Sequence, residues 1–321
     1  MTVFLLKRLG AALLAVWAMS LLVFAGVFAI GNPVDVLINP AADQRIIADT
    51  IARYGFDRPL WAQYGHFLNG ILHGDFGRSF VFDEPALALI ASRLPATLEL
   101  ALSAMVIAVV IGLPLGLYAG LKPHALPAKA VMAASILGFS LPTFWVGLML
   151  ILVFSVELGW LPSGGRGETV ELFGVAWSFP TIDGLWHLAL PALNLALFKL
   201  SLIIRLTRAG IRETMLQDYV KFARAKGVRP VRILLVHALR NILIPIVTVI
   251  GLEFGSVVAF AVVTETIFSW PGMGRLIIES IQTLDRPVMV AYLMLVVAMF
   301  IAINLFVDLI NVVLDPRVRP R

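Results

Sequence analysis

The sequence predicts an all-α, polytopic membrane protein with six membrane-crossing helices and both termini in the cytoplasm. Three observations carry this. Of the 321 residues, 60% are hydrophobic and only 14% are charged, too little charge to cover a water-soluble surface of this size. Several apolar runs reach the roughly 20 residues needed to cross about 30 Å of hydrocarbon, and they are continuous rather than alternating, which argues against a β-barrel. The basic residues gather in a few interhelical loops, the mark of segments kept on the cytoplasmic side.

Lys7 and Arg8 precede the first apolar run, Leu9 to Ile30, which is too long for the core of a secretory signal. Gly31-Asn-Pro33 breaks it, and residues 31–95 form a mixed, charge-balanced segment expected outside the cytoplasm. Ile46, Ile47, Ile51 and Tyr54 recur at helical spacing, predicting an amphipathic helix over Ala42–Tyr54. A second helix starts near Pro59 and carries Leu60, Tyr64, Phe67 and Leu68. His66 and His73 lie seven positions apart, too few ligands for a metal site and read as surface residues. Gly74-Asp-Phe-Gly77 is a turn; no Lys-Ser/Thr follows to make a phosphate loop.

The second crossing covers about Ala96–Tyr118, and the basic loop Lys122, His124, Lys129 returns the chain to the third, Ala130–Val156, with Pro142 as a kink or break. Residues 157–185 are rich in Gly and Pro, with one arginine against Glu157, Glu168, Glu171 and Asp183, and read as an external loop. The fourth crossing, Trp186–Leu206, ends among Arg205, Arg208 and Arg212. A cytoplasmic loop, 209–240, leads to the fifth crossing, Ile242–Val263. An outer re-entrant segment, 265–287, precedes the sixth, Val288–Val313, and a basic tail, Arg317, Arg319 and Arg321. From Arg208 to Arg240 eight basic residues face two acids, Glu213 and Asp218.

Inside that loop, Asp218-Tyr-Val-Lys-Phe-Ala-Arg-Ala-Lys-Gly227 reads as a short helix stopped by glycine, with Pro230 opening a second helix. Such a knob can press into a groove on a soluble partner; an ordinary basic loop that only fixes topology is the competing reading. Two charges lie within crossings. Lys199 and Glu253 are nine and ten residues from the cytoplasmic ends near 208 and 243, which places both roughly 15 Å deep. Charges at that depth pair or face water, so these two are expected to line a path, meeting each other or the termini of a zwitterionic solute. The competing reading is a purely structural ion pair. Asn194, Asn304 and Asp308 read as contacts between helices, and Glu99 as a structural residue near an outer end, within reach of water.

Together these residues resemble a known family. Lys-Arg-Leu-Gly (7–10), Gly74-Asp-Phe-Gly-Arg-Ser79, Ala96-Thr-Leu-Glu-Leu100, Leu158-Gly-Trp-Leu-Pro162, Tyr219–Gly227, Val236-His-Ala-Leu-Arg-Asn241 and Thr264-Glu-Thr-Ile-Phe-Ser-Trp-Pro-Gly272 are similar to segments of the membrane-spanning permease of bacterial ATP-binding-cassette importers for peptides and nickel, dipeptide-permease B type. The wider family's cytoplasmic signature begins Glu-Ala-Ala; here those positions read Lys221-Phe222-Ala223, then Gly227, then His237-Ala-Leu239-Arg240, a departure shared by the peptide branch. The resemblance implies a type I importer fold, with residues 1–30 the N-terminal region and first helix, 31–95 the periplasmic segment, and 96–321 the five-helix core. It implies that Tyr219, Lys221, Phe222, Ala223, Arg224, Ala225, Lys226 and Gly227 form a coupling helix seated on an ATPase. The implied partners are a second permease, two ATPase subunits that bind ATP and Mg, an extracytoplasmic binding protein and the lipid bilayer; nucleic acid is not among them.

The chain has no Gly-x-x-x-x-Gly-Lys-Ser/Thr loop, so it is not expected to hydrolyse ATP. It has no cysteine, which excludes thiolate chemistry and disulfides. A self-sufficient channel or secondary transporter is the alternative, but it would bring inverted repeats or an intramembrane ion relay, and neither is visible. An intramembrane zinc enzyme lacks its His-Glu-x-x-His.

Overall fold

A computed structural model describes residues 2–29 and 58–314. The expected amphipathic helix over 42–54 and the basic tail lie outside the described residues. In chain order the helices are α1 Thr2–Ala29, α2 Leu60–Leu72, α3 Ala86–Leu121, α4 Leu126–Ser140, α5 Thr143–Leu150, α6 Ile182–Met215, α7 Asp218–Ala225, α8 Leu239–Phe260, α9 Val262–Ile267, α10 Met273–Gln282 and α11 Arg286–Leu314. A hairpin, β1 Val170–Leu172 and β2 Val175–Trp177, interrupts the external loop.

Three of these helices are long and apolar enough to cross a bilayer: Ala86–Leu121, Ile182–Met215 and Arg286–Ile310. Two bent pairs raise the number to five when each counts as one crossing, and the apolar stretch Gly10–Gly26 of α1 is shorter. The first bent pair breaks at Pro142, where the sequence places a kink or break in the third crossing. Leu126–Ser140 and Thr143–Glu157 diverge by 108°. The cause is local: Leu141 is extended ahead of Pro142, whose ring excludes the helical conformation from the residue before it. The second pair, Pro230–Leu243 and Pro245–Phe260, bends by 44°, again at a proline that removes a helical hydrogen bond. Each pair also contains a π-helical stretch, Ile151–Glu157 and Ile233–Ala238.

The chain divides into two compact units. The first comprises Met1–Pro95 and Pro271–Ile301. Within it, Val23 of α1 and Met294 of α11 are buried together beneath Ile71 and Phe76, and Tyr64 of α2 shares a hydrogen bond with Ser20 of α1 at 2.9 Å. The turn after α2 runs through Gly74 and Gly77, both at positive φ, and Gly77 N–H donates to the Asp75 carboxylate at 2.9 Å. Its end is locked by Asp285, which is wholly buried: Ser79 Oγ donates to one carboxylate oxygen and Phe80 N–H to the other.

The second unit comprises Ala96–Trp270 and Ala302–Arg321. Its axis is the contact between α3 and α6. Gly112, Gly116 and Gly120 fall on one face of α3, four apart, and let the two backbones approach closely. A Cβ at Gly116 would lie 2.6 Å from Thr207 Cβ, and one at Gly120 would collide with Ile211. That face was legible as a Gly-x-x-x-Gly-x-x-x-Gly spacing, although the sequence reading passed over it. Helix α6 continues nine residues past its expected end at Leu206, because Ile211 and Thr214 remain buried; Ile211 packs in one core cluster with Ala238, Ile242 and Ile246. The hairpin pairs Val170 with Trp177 and Leu172 with Val175. It turns through Phe173 and Gly174, both at positive φ, as a two-residue hairpin loop requires.

Candidate functional site: a paired charge within the helices and an exposed helical stub

The two charges placed at depth by counting residues are neighbours in space. Lys199 Nζ, from the middle of α6, donates to Glu253 Oε2 of α8, and also to Ser256 Oγ at 2.9 Å. Ser256 sits one turn beyond Glu253 and contacts the same carboxylate oxygen at 3.1 Å. The pair is not sealed: the Glu253 side chain is 30% exposed and Lys199 12%. A partly exposed carboxylate on a membrane-crossing helix does not face hydrocarbon, since the cost of a charge there is several kcal/mol at the least. It faces water or another polar surface. Beside it Phe198 stacks on Phe139 of α4, with centroids 4.6 Å apart.

The stub is α7, eight residues between α6 and the second bent pair. Its sequence is amphipathic with a narrow apolar side. Val220 is wholly buried and anchors it, and Asn241 Nδ2, at the start of α8, donates to Tyr219 Oη at 2.6 Å. Asp218 opens the helix and pairs with Lys221 at 2.8 Å. That hydrogen bond, reinforced by the lysine charge, holds the Asp218 carboxyl below the usual carboxylate range. The helix stops as its glycine predicts: Val228 N–H returns to Ala223 O at 3.1 Å and Gly227 N–H to Arg224 O at 2.9 Å, with Gly227 at φ 72°. What faces outward is Phe222, 61% exposed, capped by Lys226 Nζ at 4.5 Å from its ring, with Lys221, Arg224 and Ala225 exposed around it and Ala223 half-buried. The outer face of α7 is thus an exposed aromatic among cations, on a helix held by its opposite side.

A third constellation was missed from sequence. Glu99 is not within reach of water as expected; it is 2% exposed. Its Oε1 accepts from Ser178 N–H and Phe179 N–H at 2.8 and 2.7 Å, and its Oε2 accepts from Arg166 Nη2 at 2.8 Å and Nε at 3.1 Å. Arg166, the one arginine of the Gly/Pro-rich loop, also donates to Ala176 O at 2.7 Å and lies against Trp270. Trp270 Nε1 donates to Ala96 O at 2.8 Å, and Thr97 Oγ1 donates to the buried Glu265 at 2.6 Å. Three motifs scattered through the sequence, around residues 96–100, 158–166 and 264–270, are therefore one knot. Their shared Glu, Arg and Trp could have suggested it, but pairing across 67 and 168 positions has no local signature. Among the described residues no cluster of three or more His, Cys, Asp or Glu could hold a metal.

Three helices, or five with the bent pairs, are long and apolar enough to cross a bilayer, with a charge pair between α6 and α8 and an exposed helical stub, the make-up of a multi-pass membrane protein. Comparison with known proteins agrees. Residues 112–320 match the family described as binding-protein-dependent transport system inner membrane component, and residues 1–101 match the N-terminal region of such components. The chain is 40% identical to the di/tripeptide transport system permease protein DppB of Pseudomonas aeruginosa, with 98% of each chain covered. It is 37% identical to the dipeptide transport system permease protein DppB and to the glutathione transport system permease protein GsiC, both of Escherichia coli, again over 98% of each. Among solved structures it resembles the inward-facing MetNI methionine ABC transporter, with a TM-score of 0.56 at 19% identity, over 71% of this chain and 96% of that one, a likeness of fold.

This chain belongs to the binding-protein-dependent transport system inner membrane components, and within them it is a DppB-type ABC permease. It is a multi-pass protein of the inner membrane, and its family is one of transport permeases rather than enzymes.

Proposed function

We propose that the chain is one of two permease subunits of an ATP-driven importer that takes up di- or oligopeptides, or a related small solute, from an extracytoplasmic binding protein. It crosses the membrane six times, with α1 and the two bent pairs supplying three of the crossings, and both termini are cytoplasmic. ATP and Mg are bound by two ATPase subunits. Helix α7 is the coupling helix: Tyr219, Lys221, Phe222, Ala223, Arg224, Ala225, Lys226 and Gly227 seat it in a groove on one ATPase. Because Val220 and Tyr219 tie α7 to its own unit, a push on the stub travels into α6 and α8 as a rigid-body motion. Those two helices carry Lys199 and Glu253, which line the translocation path. The second permease subunit supplies the opposite wall.

The observation that carries this reading is the unmatched outer face of α7, an exposed Phe222 among cations on a helix otherwise anchored by its buried side. Relatives whose names specify di/tripeptide, dipeptide and glutathione transport support the solute class. Since the chain has no cysteine, Phe222→Cys introduces a single thiol. In the assembled complex that thiol is expected to form a disulfide with a cysteine placed in the ATPase groove, more strongly in one nucleotide state than another. No cross-link in any nucleotide state would sink the coupling assignment. For the path, uptake is expected to fall at least tenfold in Lys199→Met and Glu253→Gln; wild-type uptake in both would remove these residues from it.

A further inference from the structure

Arg205 is a second cation on the membrane-crossing part of α6, and the ion pair above does not use it. It is half-buried, and among the described residues its hydrogen bond is from Nε to Ser201 O at 3.4 Å. No carboxylate pairs with it among the described residues. Its guanidinium lies 4.6 Å from the centroid of the Phe139 ring. Phe139 is 44% exposed and stacks on Phe198, and the Lys199 ammonium lies 5.2 Å from the Phe198 ring. The result is a continuous strip, Glu253–Lys199–Phe198–Phe139–Arg205, in which two cations face one carboxylate. One positive charge is left over, at the Arg205 end, held in place by an aromatic face rather than by an acid. Planar guanidinium is the group suited to bind a carboxylate through two parallel hydrogen bonds.

We propose that Arg205 receives the free carboxylate of the solute in transit while Glu253 offers a partner for its ammonium, so that the strip selects zwitterions of limited length. The inference rests on the translocation-path reading of Lys199 and Glu253. Six residues at about 1.5 Å each place Arg205 roughly 9 Å further along α6 than Lys199. An extended di- or tripeptide spans about 7–10 Å between its ends, so one molecule reaches both charges. The stacked rings between them give the intervening side chains an apolar, sequence-tolerant floor, as peptides of varied composition require. The same guanidinium chemistry would also hold a phospholipid phosphate, and the test separates these sources.

The importer, reconstituted in vesicles with its ATPases and saturated binding protein, is supplied with alanyl-alanine or its C-terminal amide. The acid-to-amide uptake ratio is measured for wild type, Arg205→Gln and Arg205→Lys. Because the same binding protein serves all three, its own preference cancels. The ratio is expected to fall on the order of tenfold in Arg205→Gln, the loss of the charge-assisted contact, and to recover only in part in Arg205→Lys, which restores the charge but not the second parallel hydrogen bond. An unchanged ratio in Arg205→Gln, whether uptake is normal or lost for both solutes, overturns the proposal. A deficit equal for acid and amide and present only in vesicles containing phosphatidylglycerol overturns it in favour of a lipid phosphate. Failure of the wild type to take up alanyl-alanine, or uptake without the ATPases, would instead overturn the importer reading on which it rests.

Discussion

Two ion pairs of the second unit, each a glutamate with a basic side chain, differ in their surroundings. The Glu99 carboxylate is fully engaged: two backbone N–H groups and the Nε and Nη2 of Arg166 donate to it, and Arg166 also donates to a carbonyl and lies against an indole. The glutamate side chain is 1% exposed. Among the described residues Lys199 and Glu253 have, besides each other, Ser256 as a hydrogen-bond partner, and the glutamate is 30% exposed. A buried pair whose carboxylate accepts from two backbone N–H groups and two guanidinium N–H groups of its own chain has no acceptor left for a visitor. A pair with spare acceptor capacity open to the outside has one. The first ties loops to α3; on the proposed function, the second opens when a zwitterion offers replacement charges.

The largest effect that tests this contrast is on folding. Glu99→Gln leaves Arg166 buried without a counter-charge and is expected to cost about 3–5 kcal/mol, read as a lower thermal midpoint of the complex in detergent. A midpoint within error of wild type would erase the distinction between the two pairs. Next is the contact that keeps α3 and α6 in register. Gly116→Ala drives a methyl into Thr207 and is expected to cost about 1–3 kcal/mol. The same substitution without effect would mean that the helices can part at little cost. Removing the open pair is smaller still: Lys199→Met should cost about 0.6–1.7 kcal/mol, as polar contacts between membrane helices do, while uptake falls far more than stability. Equal losses of stability and uptake would make this pair structural like the first. Of similar size is Gly227→Ala, which puts a side chain at φ 72° for up to about 1–2 kcal/mol, with open space around the new methyl. A loss well beyond that range would show that the turn after α7 packs more tightly than its open surroundings suggest.

Much of this was legible in the amino-acid order because it is local. Gly227 marks the stop of α7, Pro142 the break between α4 and α5, and residue counting alone put Lys199 and Glu253 at one depth. What was not legible depends on geometry between distant segments. Pro142 announces a break but not its 108°, which depends on how both arms pack. Glu99 sits where a helix end could meet water, and only the loop carrying Arg166 and Ser178 makes it buried. The extension of α6 to Met215 runs through arginine-bearing sequence that looks like loop; Ile211, buried against Ala238 and Ile242, holds it helical. Phe173 at φ 56° is a turn residue that glycine or asparagine would have announced.

The central claim is that the chain moves solute only when pushed through α7. It is tested most directly by solute accumulation in vesicles containing both permeases and the binding protein, with and without the ATPases, for wild type and for Phe222→Asp. Uphill uptake is expected only for wild type with ATPases and ATP, with a drop of at least tenfold when Asp replaces the exposed phenyl ring. Uphill uptake by the permeases alone, or full uptake by the Phe222→Asp variant, would contradict it.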